Sequence, residues 1–320
     1  LPPHTTVWRS TGEPSVEGVR AAVAAAQEFG PDVIVALGGG SIIDTAKSVG
    51  ILLRNEGDLM DYLEVIGRGE SLASQTVPVI ALPTTSGTGA EVTANSPIYS
   101  AEHRLKASLR DPAMIPAVAI VDPDLTVSCP PSVTASSGLD ALTQCIEPYT
   151  SRQANPLTDI LSLEGLRRAA LGLRAAYADG TDTQAREDMA FCSLLAGLSL
   201  ANAKLGAAHG IAAPVGGLTG AAHGNVCAAV LASCTEVNIR AMKEREPDNP
   251  SIARYDEVAR QLTGNSDATA EDGVAWIRDT VALLGVGGLS SLGLSDHQLD
   301  VATKGAMAAS SMKGNPIVLT

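Results

Sequence analysis

The chain has 320 residues, 45% of them hydrophobic but only 3% aromatic, and a formal net charge of −13. That length predicts two domains, with cores built mainly from Ala, Leu, Val and Ile. The acidic balance argues against nucleic acid and anionic membrane surfaces as partners, and no apolar run reaches membrane-spanning length. No signal-peptide pattern is read at the start. Five cysteines, Cys129, Cys145, Cys192, Cys227 and Cys234, form no CxxC pair, which points to reduced thiols in a cytoplasmic protein.

In chain order, residues 5–8 predict a short strand and 16–29 an Ala-rich helix ended by Gly30-Pro31. Residues 33–37 form a continuous apolar run of the buried parallel-strand type, and Gly38-Gly39-Gly40 follows at once. A helix over 41–53, a strand over 77–82 and a small-residue loop over 83–89 come next. Residues 98–99 and 105–108 can pair as a hairpin, and 117–121 read as a further strand. Strand signals then stop. Helical period covers 156–176, 184–204, 223–243, 251–262, 270–284 and 296–312. The expected fold is an α/β dinucleotide-binding domain over 1–128 and an all-helical domain over 129–320.

Two loops suit phosphate. Gly38-Gly39-Gly40-Ser41 joins a strand to a helix, so backbone N–H groups and the positive helix end can meet a diphosphate. Ser41 can cap that helix, with Asp44 three residues on as a capping-box partner; a capped turn without ligand is the plain alternative. Pro83-Thr84-Thr85-Ser86-Gly87-Thr88-Gly89 also follows a strand and is rich in hydroxyls, the second half of a nucleotide crevice. Neither loop is a Walker A sequence, which argues against an NTPase.

Asp140 and Gln144, four apart on one predicted helix, share a face. His209 and His223 lie fourteen residues apart, with Pro214-Val215-Gly216-Gly217 read as the turn between them. An aspartate and two imidazoles make a usable divalent-metal site. A cation so held can bind an alcohol oxygen and stabilise the alkoxide from which hydride leaves. Cys227 and Cys234, seven apart on a predicted helix, are read as core packing.

Three motifs in order, Gly38-Gly39-Gly40-Ser41-Ile42-Ile43-Asp44-Thr45-Ala46-Lys47, Pro83-Thr84-Thr85-Ser86-Gly87-Thr88-Gly89-Ala90-Glu91 and Gly138-Leu139-Asp140-Ala141-Leu142, resemble the iron-containing (group III) alcohol dehydrogenases along essentially the whole chain. The resemblance implies NAD or NADP, a divalent metal (Fe²⁺ or Zn²⁺), a small alcohol or aldehyde substrate, and a homodimer or larger assembly. It implies that Gly39, Gly40 and Ser41 bind the pyrophosphate with Asp44 beside the cofactor. Thr84, Thr85 and Thr88 would line the crevice, and Lys106 would reach the nucleotide. Asp140, His209 and His223 fall on three metal-ligand positions and carry the catalytic site. Gln144 falls on the fourth, where most relatives have histidine, a better ligand than an amide oxygen.

Two further departures are Ala213, where many relatives place a relay histidine, and Lys204, where small residues are common. Lys204 either points to solvent or lends its charge to the metal site. Relatives also carry another strand–helix–strand unit before the region matching Leu1, so the first unit, where NAD is told from NADP, is expected to be missing. The main alternative is an enzyme similar to maleylacetate reductase with little metal dependence, which Gln144, Cys145 and Ala154-Asn155-Pro156 would suit. A non-catalytic nucleotide-binding descendant and a lyase similar to dehydroquinate synthase are further rivals.

Overall fold

The computed structural model describes residues 4–73, 75–103 and 105–320. It divides into two compact units, one of residues 1–84 and 90–121, the other of 85–89 and 122–320. The expected boundary lay near residue 128; the structure divides the chain at 121/122 and assigns the loop 85–89 to the second unit.

In the first unit, helix α1 (Val16–Phe29) is capped by Ser15, whose hydroxyl accepts the Gly18 N–H, and ends at Gly30 with φ of 69°. Strand β1 (Ile34–Gly38) runs directly into α2 (Gly40–Leu52), and the one-turn α3 (Leu59–Tyr62) starts from an Asp58–Asp61 capping box. Strand β2 (Val79–Pro83) pairs in parallel with β1, Ile34 opposite Val79. Strands β3 (Asn95–Ser100) and β4 (Leu105–Arg110) form an antiparallel hairpin, Ile98 opposite Ala107. The two-residue β5 (Val118–Ala119) completes a parallel sheet of order β1-β2-β5.

The second unit is helical throughout: α4 (Pro131–Thr150), α5 (Pro156–Ala178), α6 (Thr183–Ala203), α7 (Ala207–Thr219), α8 (His223–Arg245), α9 (Ser251–Thr263), α10 (Ala270–Leu283) and α11 (Leu299–Ala308). Its core centres on Leu139, Leu142, Ile146, Leu166, Leu173, Leu231 and Met242. Aromatics are scarce, and the helices close on small residues instead. A Cβ on Gly138 would lie 2.3 Å from Leu173 Cδ1. Among the described residues no single helix is long and apolar enough to cross a membrane.

Several expectations fail for local reasons. Residues 5–8 form no strand and lie exposed. The 33–37 run is not buried on both faces, for Val35 is 61% and Leu37 58% exposed while Ala36 faces the core. Pro214 does not end a helix but lies inside α7, packed where a Cβ on Gly305 would meet it at 2.8 Å. The turn falls at Gly220, with φ of 72°. The expected 296–312 helix is α11 flanked by two 3₁₀ segments, Asp296–Gln298 and Ser310–Gly314.

A buried lysine locks the first unit. Lys47 on α2 is fully buried; its ammonium donates to the Ala90 carbonyl at 3.0 Å and Thr93 Oγ1 at 3.0 Å, and pairs with Asp44 at 2.7 Å. Desolvating an ammonium costs several kcal/mol, and these partners offset that cost. The arrangement pins α2, and with it the glycine loop, to the turn at 90–93.

Candidate metal centre and cofactor loops

Asp140 sits mid-way along α4, 2% exposed, with Gln144 and Glu147 one and two turns further on the same face. His209 is in the first turn of α7. That turn is placed by two acceptors: Asn315 Oδ1 takes the Ala207 N–H at 3.1 Å and Glu147 Oε1 takes the Ala208 N–H at 2.6 Å. A carboxylate at a helix start is favoured by the helix dipole. His223 opens α8 and Cys227 follows one turn later on the same side. Gly224 permits that approach to α4, because a Cβ there would stand 2.4 Å from the Ser136 carbonyl oxygen.

These elements bring Asp140, His209, His223 and Cys227 together, with one potential ligand atom from each lying within 4.8 Å of all the others. His209 Nε2 is 3.4 Å and His223 Nε2 3.9 Å from Asp140 Oδ1. The imidazole centroids are 5.3 Å apart. Around them a second set of groups fixes orientation. Glu147 Oε2 accepts the Nδ1–H of His209 at 2.7 Å, so Nε2 is the ring nitrogen that faces the cluster. Gln144 Nε2 donates to Asp140 Oδ2 at 2.8 Å, which leaves Oδ1 for the cluster.

Three buried atoms have no hydrogen-bond partner there: Asp140 Oδ1, Gln144 Oε1 and His209 Nε2. Unsatisfied buried polar atoms are costly, and a divalent cation would satisfy the carboxylate oxygen and the imidazole nitrogen at once. The residues therefore fit a metal. Their charges already compensate one another. Burial pushes the Asp140 carboxyl up, but His209 and His223 outweigh it and hold it below the ordinary carboxylate value. Burial would lower His209; Cys227, Asp140 and Glu147 outweigh it and raise the imidazole well above its usual value. His223 is raised in the same way, and the two imidazoles pull the Cys227 thiol below its usual value against its burial.

From sequence, Gln144 is expected among the ligands and Cys227 in the core. The structure has Gln144 engaged with Asp140 through its nitrogen, and sets Cys227 against the cluster. Glu147 was missed as well. Its signal was the Asp140, Gln144, Glu147 spacing, and that of Cys227 was its place four residues after His223. Lys204 is exposed at the end of α6 with φ of 57°. Ala213 lies on α7 one turn after His209.

In the first unit, Gly39 is the N-cap of α2 and supplies no side-chain cap, so Ser41 and Asp44 form no capping box. Ser41 is already inside the helix, its carbonyl accepting the Thr45 hydroxyl at 2.8 Å. The N–H groups of the first turn lack intrahelical acceptors, as at any helix start. The Thr84 N–H donates to the Gly38 carbonyl at 3.0 Å, which sets the ends of β1 and β2 side by side. Lys106, on β4, is ion-paired with Glu13. In the second unit, Thr85 to Gly89 pack on α4 and α6. A Cβ on Gly87 would stand 2.6 Å from that of Ser137, and one on Gly89 2.4 Å from Gly197 Cα. Those two glycines are required by helix contact.

Residues 4–123 match the family model of the iron-containing alcohol dehydrogenases, and residues 134–320 match that of the family's C-terminal domain. The chain belongs to the iron-containing alcohol dehydrogenase family. It is 37% identical to choline dehydrogenase of Bacillus subtilis (strain 168), over 88% of this chain and 69% of that protein. A crystal structure of 1,3-propanediol oxidoreductase superposes with a TM-score of 0.88 at 32% identity, covering 97% of this chain and 79% of that one. Sulfoacetaldehyde reductase from Bifidobacterium kashiwanohense, solved in complex with NAD⁺, superposes with a TM-score of 0.84 at 29% identity over 97% and 78%. As an iron-containing alcohol dehydrogenase, the chain is a nicotinamide-dependent oxidoreductase of alcohols and their carbonyl partners.

Proposed function

We propose that the second unit holds a divalent metal through Asp140, His209 and His223, and that the first unit binds NAD or NADP. The observation that carries this is the pair of buried, unpartnered atoms, Asp140 Oδ1 and His209 Nε2, facing each other at 3.4 Å. When bound, the cation supplies Lewis acidity that lowers the pKa of a small alcohol or polarises the matching aldehyde. Glu147 retains the proton on His209 Nδ1, and Gln144 holds the second oxygen of Asp140.

The N–H groups of Gly40 and Ser41, at a helix start capped by Gly39, receive the pyrophosphate. Asp44, tied to Lys47, steadies that turn beside the cofactor. Thr84 supplies a hydroxyl to the cofactor, and Lys106, oriented by Glu13, supplies the nucleotide-side cation. With Ala213 in place of a relay histidine, another group or water carries the alcohol's proton. The five free cysteines accord with the cytoplasm, and we place the enzyme there as a homodimer or larger assembly.

The test is turnover of NADH and NADPH with a panel of short aldehydes, before and after chelation. Chelation and His209→Ala should each remove most of the activity. Gln144, at a ligand position but turned to Asp140, favours a second reading in which little metal is needed. Reduction of maleylacetate that survives chelation would establish that reading instead.

A further inference from the structure

We infer that Cys227, not Gln144, completes the metal shell, giving a site of one carboxylate, two imidazoles and one thiolate that selects zinc over iron. The inference rests on the metal reading proposed above and concerns which of this chain's residues close the site. Gln144 is the weaker candidate on geometric and donor grounds. Its amide N–H already donates to Asp140 Oδ2 at 2.8 Å, and giving up that bond would leave Oδ2 unpaired in a buried site. Its unpartnered Oε1 is a neutral amide oxygen, a poorer donor to zinc than a thiolate.

Cys227 has the complementary geometry. It is fully buried, and its Sγ lies 3.6 Å from His223 Nε2. A tetrahedral zinc ion with ordinary bond lengths separates nitrogen from sulfur by about 3.6 Å, and nitrogen from carboxylate oxygen by about 3.4 Å. The observed edges are 3.6 Å for Cys227 to His223, 3.4 Å for His209 to Asp140 and 3.9 Å for His223 to Asp140. Two edges agree and the third is slightly long. Asp140 and His209, each with a buried unpartnered atom aimed at the cluster, make this more than a lone cysteine against a histidine.

On binding, the Cys227 thiol gives its proton to solvent and the sulfur lone pair goes to the cation. Two anionic ligands then balance the two positive charges, so the centre is neutral rather than singly positive. Thiolate is a soft donor, and it shifts preference toward zinc and away from the oxygen-seeking metals.

The experiment loads the full metal-free chain with cobalt(II) alone, measures bound cobalt by elemental analysis and records the near-ultraviolet spectrum. The wild type should bind one equivalent and show a thiolate-to-cobalt charge-transfer band. Cys227→Ser should lose the band and bind zinc at least about tenfold more weakly. Cobalt bound without the band, or a band that persists in Cys227→Ser, overturns the assignment while leaving the metal reading intact. Failure of the folded wild type to bind cobalt overturns both. X-ray absorption on the zinc-loaded wild type gives the same decision without a variant. One sulfur at about 2.3 Å supports the assignment, and a shell of nitrogen and oxygen alone refutes it.

Discussion

Glu147 does two things with one carboxylate: it caps the start of α7 and it fixes the tautomer of His209. Glu147→Gln keeps the shape but weakens the hold on the Nδ1–H, and the expected cost is about 10–100-fold in metal affinity with the fold intact. Chelator competition with circular dichroism as a fold control measures it; unchanged affinity would show that Glu147 is only a helix cap. The raised pKa of His209 gives the wild type its pH dependence. Without metal, the stabilisation from the charged imidazole is present below the ordinary histidine value and is lost as pH rises through the raised one. Metal has to displace that proton, so affinity in the same assay climbs with pH across that interval. Asp140, His209 and His223 were legible as ligand types. Cys227 was not, because on a helix an apolar-flanked cysteine usually means packing, and only the approach of α8 to α4 at Gly224 turns it toward Asp140.

Helices α5 and α6 are joined at their polar edge by Glu164, Arg167, Arg168 and Asp188. Arg168 bonds Glu164 at 2.8 Å and Asp188 at 2.6 Å. The Arg167 guanidinium first, and Arg168 with it, outweigh a small burial penalty and hold the Glu164 carboxyl at about 2 against an ordinary 4.5. A depressed folded value means that the stabilisation is complete above 4.5 and fades as pH falls toward about 2. Glu164 is 34% exposed, so solvent screening reduces its contribution to roughly 1 kcal/mol or less. Glu164→Gln should lower the denaturant midpoint near neutral pH, and the gap to wild type should close in acid. A gap that stays constant with pH would assign the loss to packing. Most helices were readable from their period and caps. The Pro214 helix was not, since the loss of one backbone hydrogen bond is outweighed by packing against Gly305 that no local pattern reveals.

The two units have separate cores, and the metal reading concerns only the second. Chelation should therefore raise amide hydrogen exchange at the starts of α7 and α8 and around Asp140 on α4. Exchange in β1, β2 and α2, pinned by Lys47, should not change. A uniform rise through both units would contradict a metal confined to the helical unit. Lys47 itself was legible only as part of a motif; its burial follows from the return of the chain at 90–93, which supplies its acceptors.

The sequence by itself determined the order of the elements, the α/β-then-helical organisation, the two glycine- and hydroxyl-rich loops and three residues of the buried Asp140 cluster. These are written in local periodicity and in residue types whose chemistry is narrow. Tertiary structure alone decided which side of Gln144 meets Asp140, that Glu147 orients His209, and that Cys227 joins the cluster. The first is a choice of amide orientation within α4, and the other two depend on the approach of helices far apart in sequence, to within a few ångströms. A one-dimensional pattern of hydrophobic and polar residues does not encode that distance.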